Sequence, residues 1–241
     1  MATATPIETP RAAIWEDFID IFYAPSAVFR RREHGSVFVP LLVVTVLTGA
    51  IFYLNSGALR PLFDAEFDRQ MAAAMRTNPN IPPEAVERMR GFASRVGQIG
   101  VLVFLPIAML CVGIVTWVAG KLVDAKESLH TALVVAAYAF TPRVLEGMVN
   151  GLQALVLDPA QFNGRFRITF GPGRFLDPDT ASPLLIALVG RLDLFTLWIT
   201  VLIAIGLCVT GRIPLRRAAI AAALVWLAGA LPLILQAIRT M

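Results

Sequence analysis

Charged and amide side chains recur at helical spacing within an apolar stretch near the middle of the chain. Arg143, Glu146, Asn150 and Gln153 follow one another at intervals of three, four and three residues. Those intervals place all four side chains on one face of a helix. Because a charge at membrane depth costs about 2.5–3.5 kcal/mol on insertion scales, this face is expected to meet protein or a wet cavity rather than lipid.

A second polar group lies in a later apolar stretch. Asp193 precedes Thr196 and Thr200, which share its helical face. Arg143 is expected to pair either with Asp193 across two helices or with Glu146 within one helix. Two interpretations stay open: these polar residues join the helices of a bundle to one another, or they line a polar pathway or a ligand site.

Catalytic motifs are absent from the sequence, so an enzyme is not expected. The two histidines, His34 and His130, are far apart and form no HExxH zinc motif. No serine lies in GxSxG, and no GxxxxGK[ST] phosphate-binding loop occurs. Cys111 and Cys208 fall within apolar runs and are expected to act as small buried hydrophobes. We therefore predict no catalytic residue, no metal and no cofactor.

The composition indicates which elements must hold these side chains. Of 241 residues, 57% are hydrophobic and only 16% are charged, whereas soluble domains carry roughly 25% charged residues. Five apolar stretches approach or exceed the roughly 20 residues that span a bilayer as a helix: about 37–55, 99–120, 129–157, 184–210 and 214–238. The predicted fold class is an all-α integral membrane protein with five transmembrane helices, in which a cytoplasmic segment, residues 1–36, precedes one transmembrane domain, residues 37–241.

The third stretch is interrupted at Pro142. A single kinked helix is favoured over two half-helices of a re-entrant hairpin, because no turn-forming cluster surrounds the proline. Gly147 and Gly151 form a GxxxG pattern, in which small residues let two helices approach closely. Packing of Pro142, Gly147 and Gly151 within the chain is favoured over homodimerisation, although a homo-oligomer stays compatible with the sequence.

Basic residues near the ends of the predicted helices set the expected orientation. One cluster precedes the first helix, lysines lie in the second connection, and a further cluster lies in the fourth: Arg30, Arg31, Arg32; Lys121, Lys126; Arg212, Arg216, Arg217. With five helices these regions share one side, which places the N-terminus in the cytoplasm and the C-terminus outside. The arginines of the first and last clusters are expected at the membrane surface, and no nucleic-acid surface is expected.

The segment before the first helix is amphipathic. Its apolar residues share one helical stripe and its acidic residues lie opposite: Ile14, Trp15, Phe18, Ile19, Phe22; Glu16, Asp17, Asp20. A helix at the membrane interface, or packed on the bundle, is expected there. Residues 64–76 and the segment beginning at Pro83 predict a small extramembrane helical hairpin between the first two spans. In the later connection, residues 166–170 alternate in polarity before a Gly-Pro-Gly turn and are compatible with a short β-hairpin.

Four segments resemble one family of membrane proteins. Residues 136–148 (AAYAFTPRVLEGM) resemble the third-helix segment of the YIP (Ypt/Rab-interacting protein) domain family. Residues 194–207 (LFTLWITVLIAIGL), 214–224 (PLRRAAIAAAL) and 22–29 (FYAPSAVF) resemble segments of the same family in the same order, with the last similar to bacterial members. The resemblance implies a five-helix membrane domain with a cytoplasmic N-terminus.

The family likeness also bears on function. Eukaryotic relatives are membrane-traffic factors that associate with Rab-type GTPases, whereas bacterial relatives suggest accessory subunits of ABC-type exporters or membrane-organising proteins. We expect a non-enzymatic membrane scaffold or accessory subunit in the bacterial cytoplasmic membrane, in contact with the lipid bilayer and with other membrane proteins. The alternative is a translocator or binder of an ion, lipid or small molecule that uses the polar face of the third helix.

Overall fold

The computed structural model describes residues 13–158, 162, 165–232 and 234–235, and these residues form helices and no strand. The α-helices are α1 (Ile14–Asp20), α2 (Pro25–Arg31), α3 (Phe38–Thr77), α4 (Pro83–Lys121), α5 (Leu129–Ala139), α6 (Pro142–Val156), α7 (Pro183–Val189), α8 (Leu194–Thr210) and α9 (Leu215–Ala228). The all-helical prediction is confirmed for the described part of the chain. Residues 1–12 of the predicted N-terminal segment, and 233 and 236–238 of the fifth predicted span, lie outside the described residues.

The two longest helices form a hairpin. Helices α3 and α4 have 40 and 39 residues, so each is about 60 Å long at 1.5 Å per residue, roughly twice the hydrocarbon thickness of a bilayer. Arg90 of α4 pairs with Asp64 at 3.5 Å and Asp68 at 2.5 Å on α3, and its guanidinium lies 4.6 Å from the ring centre of Phe67. The helical hairpin predicted for the first connection is therefore continuous with its two neighbouring spans. We call residues 60–98 of this hairpin the arm.

The third predicted span consists of two helices in the structure. Helix α5 ends before Phe140 and α6 begins at Pro142, whose missing N–H suits a first helical position. The hydroxyl of Thr141 donates to the carbonyl of Tyr138 at 2.7 Å, which satisfies one group freed by the break. Together α5 and α6 count as one candidate span of 28 residues, Leu129–Val156.

Helix α5 lies at the centre of the packing, where residues 131, 132 and 134–139 are all buried. Glycines on the neighbouring helices permit this close packing around α5. A Cβ atom at Gly113 of α4 would lie 2.7 Å from Leu133, and one at Gly206 of α8 would overlap Val135. Because glycine lacks that atom, α4 and α8 approach α5 closely on two sides.

The fourth predicted span, 184–210, is divided in the structure. Helix α7 ends before Gly190, and the longer helix α8 begins only at Leu194. Ser182 caps the first of these helices by accepting a hydrogen bond from the N–H of Leu185 at 3.3 Å. The single continuous helix predicted for this stretch is wrong, because residues 190–193 form a turn in which Asp193 caps the start of α8.

The short β-hairpin considered for the later connection does not form. Arg165–Ile168 and Pro172–Phe175 are 3₁₀ helices. Phe170 donates its backbone N–H to the carboxylate of Asp193, and its carbonyl accepts from the N–H of Leu194. The segment thus hydrogen-bonds to the start of α8, which takes the place of a cross-strand ladder.

Three helical segments among the described residues are long and apolar enough to cross a bilayer: α3, the Ile99–Lys121 part of α4, and α5 with α6. Helix α8 is apolar but has 17 residues. Helix α9 has 14 residues. The chain therefore has the helices of an integral membrane protein.

Helix α1 and the turn that follows it pack on the bundle with one face. Ile21 is buried, Phe18 lies against Tyr138 and Phe22 against Trp198, with ring centres 5.5 and 5.4 Å apart. The expected division into an apolar and an acidic face is wrong for Asp17, which is completely buried. A second apolar line, Trp15, Ile19 and Tyr23, stays exposed.

Candidate functional site

The polar face of α6 begins with an arginine that makes two side-chain contacts. Arg143 follows Pro142 in the first turn, and its guanidinium donates to the carboxylate of Glu146, one turn further on. Its other terminal nitrogen donates to the hydroxyl of Thr196 on α8 at 3.3 Å. Of the two partners considered for Arg143, Glu146 is therefore the one it pairs with in the structure.

Asp193 accepts hydrogen bonds from three backbone N–H groups. Its Oδ1 accepts from the N–H groups of Phe195 and Thr196 at 3.0 and 3.2 Å, and its Oδ2 accepts from the N–H of Phe170 at 3.0 Å. The carboxylate therefore caps α8 and anchors the preceding loop. Among the described residues it forms no ion pair with Arg143, so the cross-helix pairing is not the one adopted.

The other two residues of the stripe lie in different surroundings. Gln153 donates to the carbonyl of Ile168 at 2.8 Å, which ties the end of α6 to the 3₁₀ segment. The side-chain oxygen of Asn150 is buried and has no hydrogen-bond partner within the described structure. Within the stripe, Arg143 and Glu146 form an ion pair, Asn150 is a buried amide and Gln153 holds a loop. The four side chains therefore do not line one continuous channel.

A cavity of about 410 Å³ lies beside Arg143, between α4, α8 and α9. Arg191, Thr196, Thr200 and Trp226 line it together with Arg143, and its remaining walls are mostly apolar. Arg191 donates to the backbone carbonyl of Trp226 at 3.1 Å, and its guanidinium lies 5.8 Å from the centre of the indole ring. The indole N–H donates back to the carbonyl of Arg191 at 3.3 Å.

Arg191 was missed as a site residue by the sequence reasoning. The signal was present, because an arginine at 191 falls within the predicted span 184–210, where every charge needs a partner. Its contact with Trp226 joins residues 35 positions apart. No short-range pattern could have paired those two.

The glycines of the GxxxG pattern face α3. A Cβ atom at Gly147 would lie 3.1 Å from Ile51, and one at Gly151 would overlap the amide of Asn55. Asn55 itself donates to the carbonyl of Ile51 at 2.9 Å. The structure therefore places both glycines at a contact between α6 and α3 of the same chain.

The basic clusters gather at one end of the bundle. Arg31 and Arg32 bind Asp17, Arg212 lies 3.7 Å from Glu33, and Arg217 lies 3.2 Å from Asp124. The exposed side chains of Arg30 and Arg216 lie in the same regions of the sequence. The three regions that were predicted to share one side of the membrane do meet at one end of the structure.

A buried carboxylate lies at that end. Glu127, between α4 and α5, is buried and both of its carboxylate oxygens are without a hydrogen-bond partner in the described structure. A Cβ atom at Gly211 would lie 2.6 Å from Oε2. Burial raises the pKa of Glu127, against the smaller opposing effects of its own backbone N–H and of Lys121.

The described residues offer no catalytic constellation. His130 is hydrogen-bonded to the carbonyl of Gly35 at 2.8 Å, and Cys111 lines the cavity without a histidine beside it there. Within the described parts of the chain, no cluster of histidine, cysteine and carboxylate side chains could hold a metal ion. In the described lining of the cavity, no histidine or carboxylate lies beside Cys111 to activate it.

Comparison with known proteins identifies the chain's relatives at family level. A sequence model described as the Yip1 domain matches residues 19–236. No curated protein and no solved structure matches the chain with significance. The family match covers all the described helices from α2 to α9 and part of α1.

Proposed function

Because the chain belongs to the Yip1 domain family, we propose that it is a non-enzymatic membrane scaffold or accessory subunit that associates with other membrane proteins. The supporting observation is an apolar stripe on α4 that continues from the membrane-spanning part into the arm. Its members recur at intervals of three and four residues and are all exposed: Met89, Phe92, Val96, Ile99 and Val103.

The stripe extends beyond the membrane-spanning part of α4, so lipid cannot cover its outer residues. The membrane-spanning part of α4 begins at Ile99, so Met89, Phe92 and Val96 lie in the arm, where Phe92 is 70% exposed. Alternating intervals of three and four residues are the spacing of a helix–helix seam. We infer that a helix of a partner membrane protein lies along this stripe and follows it out of the bilayer, as in an export or ABC-type transport complex.

The proposed topology has five crossings. Helix α8 is about 26 Å long at 1.5 Å per residue, which approaches the hydrocarbon thickness once its flanking turns are included, and α9 is followed by further helical residues. In this arrangement the N-terminus faces the cytoplasm of a bacterial inner membrane and the C-terminus lies outside. The exposed line Trp15, Ile19 and Tyr23 of α1 then rests in the interface, beside the basic end of the bundle.

Site-specific photo-crosslinking in native membranes tests the scaffold role. A photoreactive side chain at Phe92 and, separately, at Val96 is expected to capture one and the same membrane protein. Ser94, which is exposed in the arm on a different face of α4, is the matched control and should capture none. An adduct with twice the mass of the chain indicates self-association in place of a partner, and the absence of any adduct contradicts the proposal.

A second candidate function is the binding or translocation of an ion, lipid or small molecule at the polar face of α6. The cavity beside Arg143 favours it, because a polar group next to a largely apolar cavity is a common arrangement of ligand sites. The hydrogen bond from Gln153 to Ile168 occupies the far end of the polar face. Binding is therefore better supported than passage through the protein.

A further inference from the structure

The cavity carries a positive charge that the described residues do not balance. Arg143 is neutralised by Glu146. Arg191 has no carboxylate within ion-pair distance in the described structure, and its buried Nε has no hydrogen-bond partner there. Among the described residues, the guanidinium donates one hydrogen bond, to the backbone carbonyl of Trp226. The two guanidinium groups share the cavity wall and repel each other, which leaves Arg191 as the group that an anion would neutralise.

This charge lies in the turn before α8, far from the basic end of the bundle. Cys111 is ten residues before Lys121 at the end of α4, and Trp226 is eleven residues after Leu215 at the start of α9. At 1.5 Å per residue both are about 15 Å inside the bundle, near the middle of a 30 Å bilayer core. A guanidinium without a counter-charge is costly at that depth.

The backbone leaves room for the guanidinium. A Cβ atom at Gly229 would lie 2.7 Å from Nη2 of Arg191, so the glycine leaves the space that the guanidinium occupies against α9. The walls beyond it come from Val112, Ile199, Ile203 and Val225. A cation at one place and aliphatic side chains around it complement a molecule that has an anionic head and an apolar chain.

We propose that this cavity binds an anionic amphiphile, with the phosphate or carboxylate head on Arg191 and the hydroxyls of Thr196 and Thr200, and the hydrocarbon chain along the aliphatic wall. Guanidinium groups bind such oxyanions through charge-assisted hydrogen bonds. The site is separate from the stripe on α4 and names a ligand class for the second candidate function.

Thermal unfolding of the purified full chain in a neutral maltoside detergent tests this. Lysophosphatidylglycerol is expected to raise the unfolding midpoint saturably, while lysophosphatidylcholine with the same acyl chain, whose head has no net charge, does not. Arg191→Gln should need at least tenfold more lysophosphatidylglycerol for half of the effect. Arg60→Gln, a control on a side chain that is 80% exposed, should behave as the unsubstituted protein.

Two further measurements separate a lipid ligand from a free anion and replace Arg191→Gln if that variant does not fold. Inorganic phosphate alone should not reproduce the shift; if it does so with the same dependence on Arg191, the ligand is a free anion and the amphiphile is wrong. Gly229→Ala displaces the guanidinium but keeps its charge, so it should weaken binding. This variant replaces Arg191→Gln in the test if Arg191→Gln does not fold. Equal shifts in all variants, or none in any, overturn the site. Crosslinking from Phe92 should be unchanged by Arg191→Gln, so failure here is distinguishable from failure of the scaffold role.

Discussion

The carboxylate of Asp17 accepts a hydrogen bond from Nε of Arg31 at 2.6 Å, although the two residues are 14 positions apart. The other carboxylate oxygen accepts from Nε of Arg32 at 2.6 Å and from the hydroxyl of Tyr138 at 3.2 Å. Asp17 thus joins α1 to the end of α2 and to α5. Two of the three arginines before the first span therefore compensate a buried charge, whatever contact they make with lipid.

Asp17→Asn should loosen this junction. It removes the charge that compensates Arg31 and Arg32, and because both arginines are partly exposed, the loss should be about 2 kcal/mol rather than that of a fully buried pair. Chemical unfolding in detergent measures it, and proteolysis should then cut between α1 and α2. Asp20→Asn is the control, since Asp20 also pairs with Arg31 but is more exposed; a comparable loss there would contradict the central role of Asp17.

Glu127 should make stability depend on pH. Its pKa is raised in the folded state by burial, above the 4.5 of an unperturbed glutamate. The folded chain therefore holds this proton more strongly than the unfolded chain, so the contribution of Glu127 to stability is fully present below about pH 4.5 and is lost as the pH rises through the folded-state pKa.

Glu127→Gln removes that titration. At neutral pH the variant should be more stable by about 1–3 kcal/mol, because a neutral amide costs less to bury than a carboxylate, and its unfolding midpoint should vary less with pH. Unfolding followed between pH 4 and 8 checks both (a range set around the ordinary glutamate pKa). Glu84→Gln, at an exposed position at the start of α4, should leave the profile unchanged; a matching change there would rule out Glu127 as its source.

Gly151→Leu should destabilise the protein by about 1–3 kcal/mol, because the new side chain overlaps Asn55 and pushes α6 away from α3. Gly57→Leu is the matched control: nothing lies within 4 Å of a Cβ atom there, and leucine favours a helix more than glycine does. Thermal unfolding of both variants provides the comparison. If Gly151→Leu changes only the oligomeric state and leaves the unfolding midpoint intact, the glycine serves an interface between copies.

Local features were readable from the sequence because their causes are local. Arg143 and Glu146 are three residues apart on one helix, so their pairing follows from helical geometry. The break at Pro142 follows from the missing N–H of proline. The helical hairpin also followed from composition, since the residues on either side of the 78–82 turn favour helix.

The ligand cavity and the buried charges were decided by tertiary packing. Asp193 is predicted to lie on a face of the fourth helix, whereas in the structure it caps α8, and this role depends on a loop that folds back to bring Phe170 against it. Arg191 meets Trp226 only because α9 packs beside the turn before α8. The sequence predicts Asp17 on the acidic face of α1. In the structure Tyr138 of α5, and two arginines at the end of α2, bind its carboxylate.

The sequence by itself determined that this chain is a helical membrane protein of the Yip1 domain family, since hydrophobic length and ordered motifs are properties of consecutive residues. Tertiary structure decided which charges are balanced and which are not. Ion pairs such as Asp17–Arg31 form between side chains distant in sequence, and their free energy depends on the burial that packing creates. Among the described residues, packing sets the guanidinium of Arg191 against Trp226 and the cavity, with no carboxylate at ion-pair distance.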